Sequence, residues 1–205
     1  MSDINWELVE SMAALLPTYK EGRGRLTRML LSDGSEDLID KTVKSVVKKL
    51  ARQYSVDLDS VVKEYGALLG KRNLVPIPLT QHIILVPLKT ITPLLPGDSA
   101  YGYFNLSAIK EINKTGDSEY KTAVILHNGI EVGVFLNYET VMKQVKNAEL
   151  VDKHYRIKHL CWLSDKTTSV DPERGLSQEV TRRDLISIHL KLDQILTFLF
   201  QKKHF

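Results

Sequence analysis

AVILHNGIEVGVFL, residues 123–136, sets Asn128-Gly129 between two runs of apolar, mostly β-branched residues. Asn and Gly both tolerate the left-handed backbone of a tight hairpin turn, so this is the strongest short-range hairpin signal in the chain. Upstream, LVPIPLTQHIILVPLKTITPLLPGD (74–98) holds five of the seven prolines. Proline lacks the N–H that a helix or ladder needs, so this stretch reads as short extended segments. YGYFNLSAIKEI (101–112) and the turn KTGDSE (114–119) lie between the two. Beyond the hairpin, YETVMKQVKNA (138–148) reads as helix and RIKHLCWL (156–163) as strand. The fold class that follows is α+β: a twisted, mainly antiparallel sheet from residues 73–163, flanked by N-terminal and C-terminal amphipathic helices.

Helical spacing dominates the flanks. In DINWELVESMAALL (3–16), Ile4, Leu8, Met12, Leu15 and Leu16 fall on one stripe, with Asp3 as cap and Pro17 as stop. LTRMLL (26–31) fits either a short strand or a helix continuation, and DGSE (33–36) signals a turn. Ser35 can cap a helix to Tyr54 along Ile39, Val43, Val46, Val47 and Leu50. After a break at 55–57, a second helix carries Leu58, Val61, Val62, Tyr65, Leu68 and Leu69, and Gly70 suits its end. A last helix runs from about Ser177, with Leu185, Ile188, Leu192, Ile195 and Leu199 at 3–4 spacing. The expected organisation is one α+β domain over 1–205. It comprises a helical, basic part (1–72), a β-rich core (73–163), and a loop with the C-terminal helix (164–205).

At 205 residues the chain can bury a sizeable core. One cysteine, Cys161, excludes an internal disulfide and suits a reducing compartment. Asp3, Glu7 and Glu10 stand where a signal peptide needs basic residues, and no apolar run reaches membrane-spanning length. The expectation is a cytoplasmic protein with no membrane partner. GALLGKR (66–72) is too short for a phosphate-cradling loop and lacks its Ser or Thr. His154, His159 and Cys161 match no zinc spacing and read as structural. With no nucleophile elbow or dinucleotide turn, neither an enzyme nor a cofactor is expected.

Charge is the informative feature. The chain is only +3 overall, yet residues 41–72 carry eight basic and three acidic side chains. Within KTVKSVVKKLAR (41–52), Lys41, Lys44, Lys48 and Arg52 form one helical stripe, with Lys49 beside it. Acids in the first turns (Glu36, Asp37, Asp40) and bases in the last would complement the helix dipole, which explains part of this pattern without a ligand. The bland reading is a solvated outer face and the sharper one is phosphate contact, in which case Lys71, Arg72, Arg23, Arg25 and Arg28 could extend the surface. The two helices also resemble a helix-turn-helix, but the second carries Asp57, Asp59 and Glu64 against Lys63 alone. The first helix is the better-charged candidate.

VPIPLTQHIILVPLKTITPLLPGDSAYGYFNLSAIKEI (75–112) and AVILHNGIEVGVFLNYETV (123–141) together resemble the core of the ComK family of competence transcription factors. Its last part also resembles LytTR-type DNA-binding domains. The resemblance implies a cytosolic, sequence-specific activator that oligomerises on paired A·T-rich boxes and is controlled by a protease adaptor. The competing expectation is a non-enzymatic interaction module that dimerises through the C-terminal helix.

Overall fold

Met12, Ala13, Ala14, Leu15 and Leu16 are all buried, Met12 and Leu15 in one hydrophobic cluster and the other three in a second. A segment that buries both faces belongs at the centre of a layered fold, as a strand. In the computed structural model, which describes residues 4–22, 24–94, 98–116, 119–165 and 188, this segment begins β1 (Met12–Lys20). β2 (Gly24–Leu31) and β3 (Glu36–Ile39) follow, then helices α1 (Val43–Gln53) and α2 (Leu58–Leu69). Next come β4 (Ile77–Pro78), β5 (Ile84–Lys89), β6 (Tyr101–Asn105), β7 (Ile109–Lys114), β8 (Thr122–Leu126) and β9 (Glu131–Val134). A long helix, α3 (Tyr138–Asp165), closes the described elements. The strands form a six-stranded sheet, ordered β3-β2-β1-β6-β5-β4, and a three-stranded sheet, β7-β8-β9, with antiparallel pairing throughout. The fold is α+β.

The chain divides into two compact units, Met1–Asp152 and Lys153–Phe205. In the first, the six-stranded sheet separates two cores. One face packs on α1 and α2 through Val43, Val46, Val47 and Leu50, with Leu58 and Val61 behind them. The other packs on the smaller sheet and the start of α3 through Val124, Leu126, Val134, Val141 and Ala148. β5 shows the alternation directly: Ile84 and Val86 enter the second core while Leu85 enters the first. Each such side chain contributes about 1.5–3 kcal/mol by leaving water. Buried Asn105 joins three strands, its Oδ1 accepting from the Ile84 N–H and its Nδ2 donating to the Met12 carbonyl, both at 3.3 Å. The Asn128-Gly129 turn forms as expected, with Gly129 at φ 85°. Asn128 Nδ2 also donates to the Leu31 carbonyl at 2.7 Å, tying the hairpin to the end of β2.

Several expectations are corrected. The helix over 3–16 is instead a short 3-10 turn, Trp6–Ser11, followed by β1. A continuous apolar run fits a helical stripe and a doubly buried strand alike, and only long-range pairing separates them. Pro17 does not end the element; it lies beyond the two pairs, Ala14–Phe104 and Leu15–Tyr103, that join β1 to β6. The part over 1–72 is therefore only partly helical, and the sheet draws three of its strands from residues before 73. The helix expected from Ser35 starts instead at Val43, capped by Thr42. Ser35 donates its N–H and Oγ to Asp33 Oδ1, which stabilises the β2–β3 turn.

The strand expected at 156–163 is helical. No proline or glycine interrupts the chain between Tyr138 and Asp165, so α3 carries on through it. In the second unit, the Tyr155 and His159 rings pack with centroids 4.2 Å apart. The helix expected over 177–203 lies outside the described residues, apart from Ile188.

Candidate nucleic-acid interface

α1 buries Val43, Val46, Val47, Leu50 and Ala51, which leaves Lys44, Lys48 and Arg52 exposed on one stripe. Because the helix begins at Val43, Glu36, Asp37 and Asp40 are not in it, and its first turn contains no acid. Lys44 stands in that turn, where the helix dipole disfavours a cation by about 0.3–1 kcal/mol. The dipole thus explains less of the basic stripe than the sequence suggested.

Both helices end in the same hydrogen-bonded turn, and both turns deliver a residue to one place. At the end of α1, Ser55 takes φ 56°, its N–H donating to the Arg52 carbonyl (3.1 Å) while the Val56 N–H donates to that of Ala51 (2.7 Å). At the end of α2, Gly70 takes φ 62°, and the Lys71 N–H donates to the Gly66 carbonyl at 2.8 Å. A Cβ at Gly66 would sit 2.6 Å from the Lys71 carbonyl oxygen, so this turn requires glycine there. Asp57 caps α2, accepting from the Asp59 N–H (3.1 Å) and the Ser60 hydroxyl (2.6 Å), and these bonds hold its carboxyl below the usual range.

Tyr54 anchors the end of α1. Its hydroxyl donates to Glu10 Oε1 at 2.8 Å, and burial together with that bond pushes its pKa up to about 12. The folded chain holds this proton more tightly than the unfolded chain, where tyrosine titrates near 10.0. Its contribution to stability is complete below pH 10 and fades as pH rises to about 12. Urea unfolding of Tyr54→Phe should show a flatter alkaline decline than the parent chain. Identical declines would show that Tyr54 carries none of it.

Between α1, α2 and the sheet lies a cleft of about 1070 Å³. Lys44, Lys48, Arg52, Lys63, Lys71 and Arg72 line it, against two carboxylates, Asp57 and Asp59. Its floor is apolar: Val56, Val62, Ala67, Ile77 and Tyr103. Lys71 is half-buried, its ammonium donating to Gln144 Oε1 at 2.7 Å. Burial, with Lys143 nearby, holds that ammonium below its usual pKa. Gln144 is itself buried, and its Nε2 donates to the Leu74 and Pro87 carbonyls, so α3 fixes the turn that carries Lys71 and Arg72.

Of the basic residues singled out in the sequence, the cleft gathers Lys44, Lys48, Arg52, Lys71 and Arg72. Lys41 and Lys49 are half-buried on the same segment but do not line it. Arg25 lies at the start of β2, ion-paired with Asp98, whose carboxylate also accepts from the Tyr19 hydroxyl at 2.6 Å. Arg23 lies outside the described residues. Lys63, the lone cation of an otherwise acidic helix, and Tyr103 also line the cleft, although neither is among the residues expected from sequence. The tight turn at 54–57 was the available signal, because it separates the two helices whose residues line one cleft. Among the described residues no group of three or more His, Cys, Asp or Glu could hold a metal. No described helix is long and apolar enough to cross a membrane.

A protein-family model described as ComK protein matches residues 4–159. No curated protein and no solved structure matches the chain.

Proposed function

Because the chain belongs to the ComK family, a family of competence transcription factors and so broadly of DNA-binding regulators, we propose that it is a sequence-specific activator whose α1–α2 cleft grips duplex DNA. The observation that carries this reading is the cleft itself, where six basic side chains, four from the two helices and two from the turn after α2, meet two carboxylates. The contacts fall to Lys44, Lys48, Arg52, Lys63, Lys71 and Arg72, with Lys41 and Lys49 extending the surface beyond the cleft. Arg25 contributes less, because Asp98 already neutralises it. Phosphate contacts position the protein without reading sequence. Preference for A·T-rich boxes would then come from the narrow minor groove of such tracts, whose negative potential draws basic side chains. The protein works in the cytoplasm without a cofactor, as an oligomer on paired boxes, and a protease adaptor limits its amount.

Gel-shift titration of A·T-rich and G·C-rich duplexes of equal length tests this. With six phosphate contacts, affinity should fall about 10³-fold between roughly 50 and 200 mM salt. The A·T-rich duplex should be retained more tightly at both salts. Absence of retention at the lower salt would overturn the reading. Equal retention of the two duplexes would leave phosphate binding but remove the A·T preference.

A further inference from the structure

Phosphates need only the charged rims of the cleft, and its apolar floor calls for a different guest. Val62 is half-buried yet packs into neither hydrophobic cluster, and Ala67, further along the same helix, is exposed. Val56 and Tyr103, which also pack against the first core, and buried Ile77 complete the apolar lining. We propose that the cleft is also the docking groove for an acidic amphipathic helix of a partner protein, which occupies it in competition with DNA. The proposal rests on the DNA reading for the competition, but not for the docking itself.

Three features fit that guest. α1 and α2 are 11 and 12 residues long, about 16–18 Å each, the length of three turns of a guest helix. Lys44, Lys48 and Arg52 recur every fourth residue, about 6 Å apart, the spacing of carboxylates at i, i+4 and i+8 on a facing helix. The apolar positions of such a guest would meet the floor, as in other helix-in-groove complexes. Asp57 and Asp59 stand where α1 gives way to α2, so an acidic guest should be uncharged or basic at that end. Lys63, Lys71 and Arg72 supply the charge of the second rim.

The probe is a fluorescein-labelled synthetic peptide of about 18 residues, with leucine at i, i+3, i+4 and i+7 and glutamate flanking. A scrambled peptide of the same composition is the control, and the full chain is titrated by anisotropy with and without duplex. The patterned peptide should bind at least about tenfold more tightly than the scramble, as expected if its leucines reach the floor, and should displace the duplex. Val62→Thr with Ala67→Ser, which leaves every charge in place, should cut peptide affinity about tenfold and leave duplex affinity within about twofold. Equal binding of the two peptides would overturn the proposal, because charge alone would then explain it. Equal loss of peptide and duplex in the double variant would also overturn it, by assigning the floor to the DNA site. Patterned binding without any duplex retention would instead sink the DNA reading while docking stands.

Discussion

Lys44→Ala, Lys48→Ala and Arg52→Ala made together should lower duplex affinity about 10²-fold near 0.1 M salt and flatten the salt slope by about 2.7, at 0.9 per lost phosphate contact. The three side chains are exposed, and the face α1 buries, from Val43 to Ala51, is untouched. Alanine is the best helix former, so α1 should persist and the loss should not reflect unfolding. The matching control removes the same charge elsewhere: Lys110, Lys121 and Lys146 are exposed and do not line the cleft. Their triple alanine variant should change the slope by less than one contact. If the two triple variants lose affinity equally, net charge rather than the cleft attracts DNA, and α1 drops out of the interface. The placement of Lys44 makes the bland alternative harder to hold. A solvated face chosen for solubility and dipole would not put a lysine in a first turn that contains no acid.

How much of this could be read from residues alone depends on the range of the interaction that decides each element. The Asn128-Gly129 hairpin and the end of α2 at Gly70 were legible because each turn is marked by a glycine with positive φ. The α+β class followed from the same local signals. β1 was not legible, because Met12–Leu16 is strand only by virtue of partners at Met29–Leu31 and at Tyr103 and Phe104. Ser35 looks like a helix cap, but the pairing of Glu36–Ile39 with β2 makes that stretch a strand and moves the helix start to Val43. α3 overran its expected end because no breaker stopped it, and a short apolar run favours strand only when turn signals bound it. The cleft was half legible for the same reason. Lys44, Lys48 and Arg52 share a face by periodicity, but the meeting of Lys63, Lys71 and Arg72 with them depends on the turn at Ser55. That turn uses a serine where glycine would have announced it.

Phe104→Ala should produce the largest loss of stability, about 3–5 kcal/mol in urea unfolding. Phe104 is fully buried at the centre of the second core, on a strand flanked by Ala14 of β1 and Val86 of β5. No neighbour in a strand hydrogen-bonded on both sides can move far to fill the space, so most of the cavity should remain. Phe104→Leu keeps most of the volume and should cost about 1.5 kcal/mol or less. Since domains of this size are stable by only about 5–15 kcal/mol, the alanine variant would forfeit roughly a fifth or more of the total. The neighbouring Tyr103 gives the contrast, because alternation turns it to the opposite face, where it forms part of the cleft floor. Tyr103→Phe keeps the ring and should leave the unfolding midpoint nearly unchanged. A cost below about 1 kcal/mol for Phe104→Ala would mean that β6 is not the centre of the sheet, and the cleft built on that strand would lose its foundation.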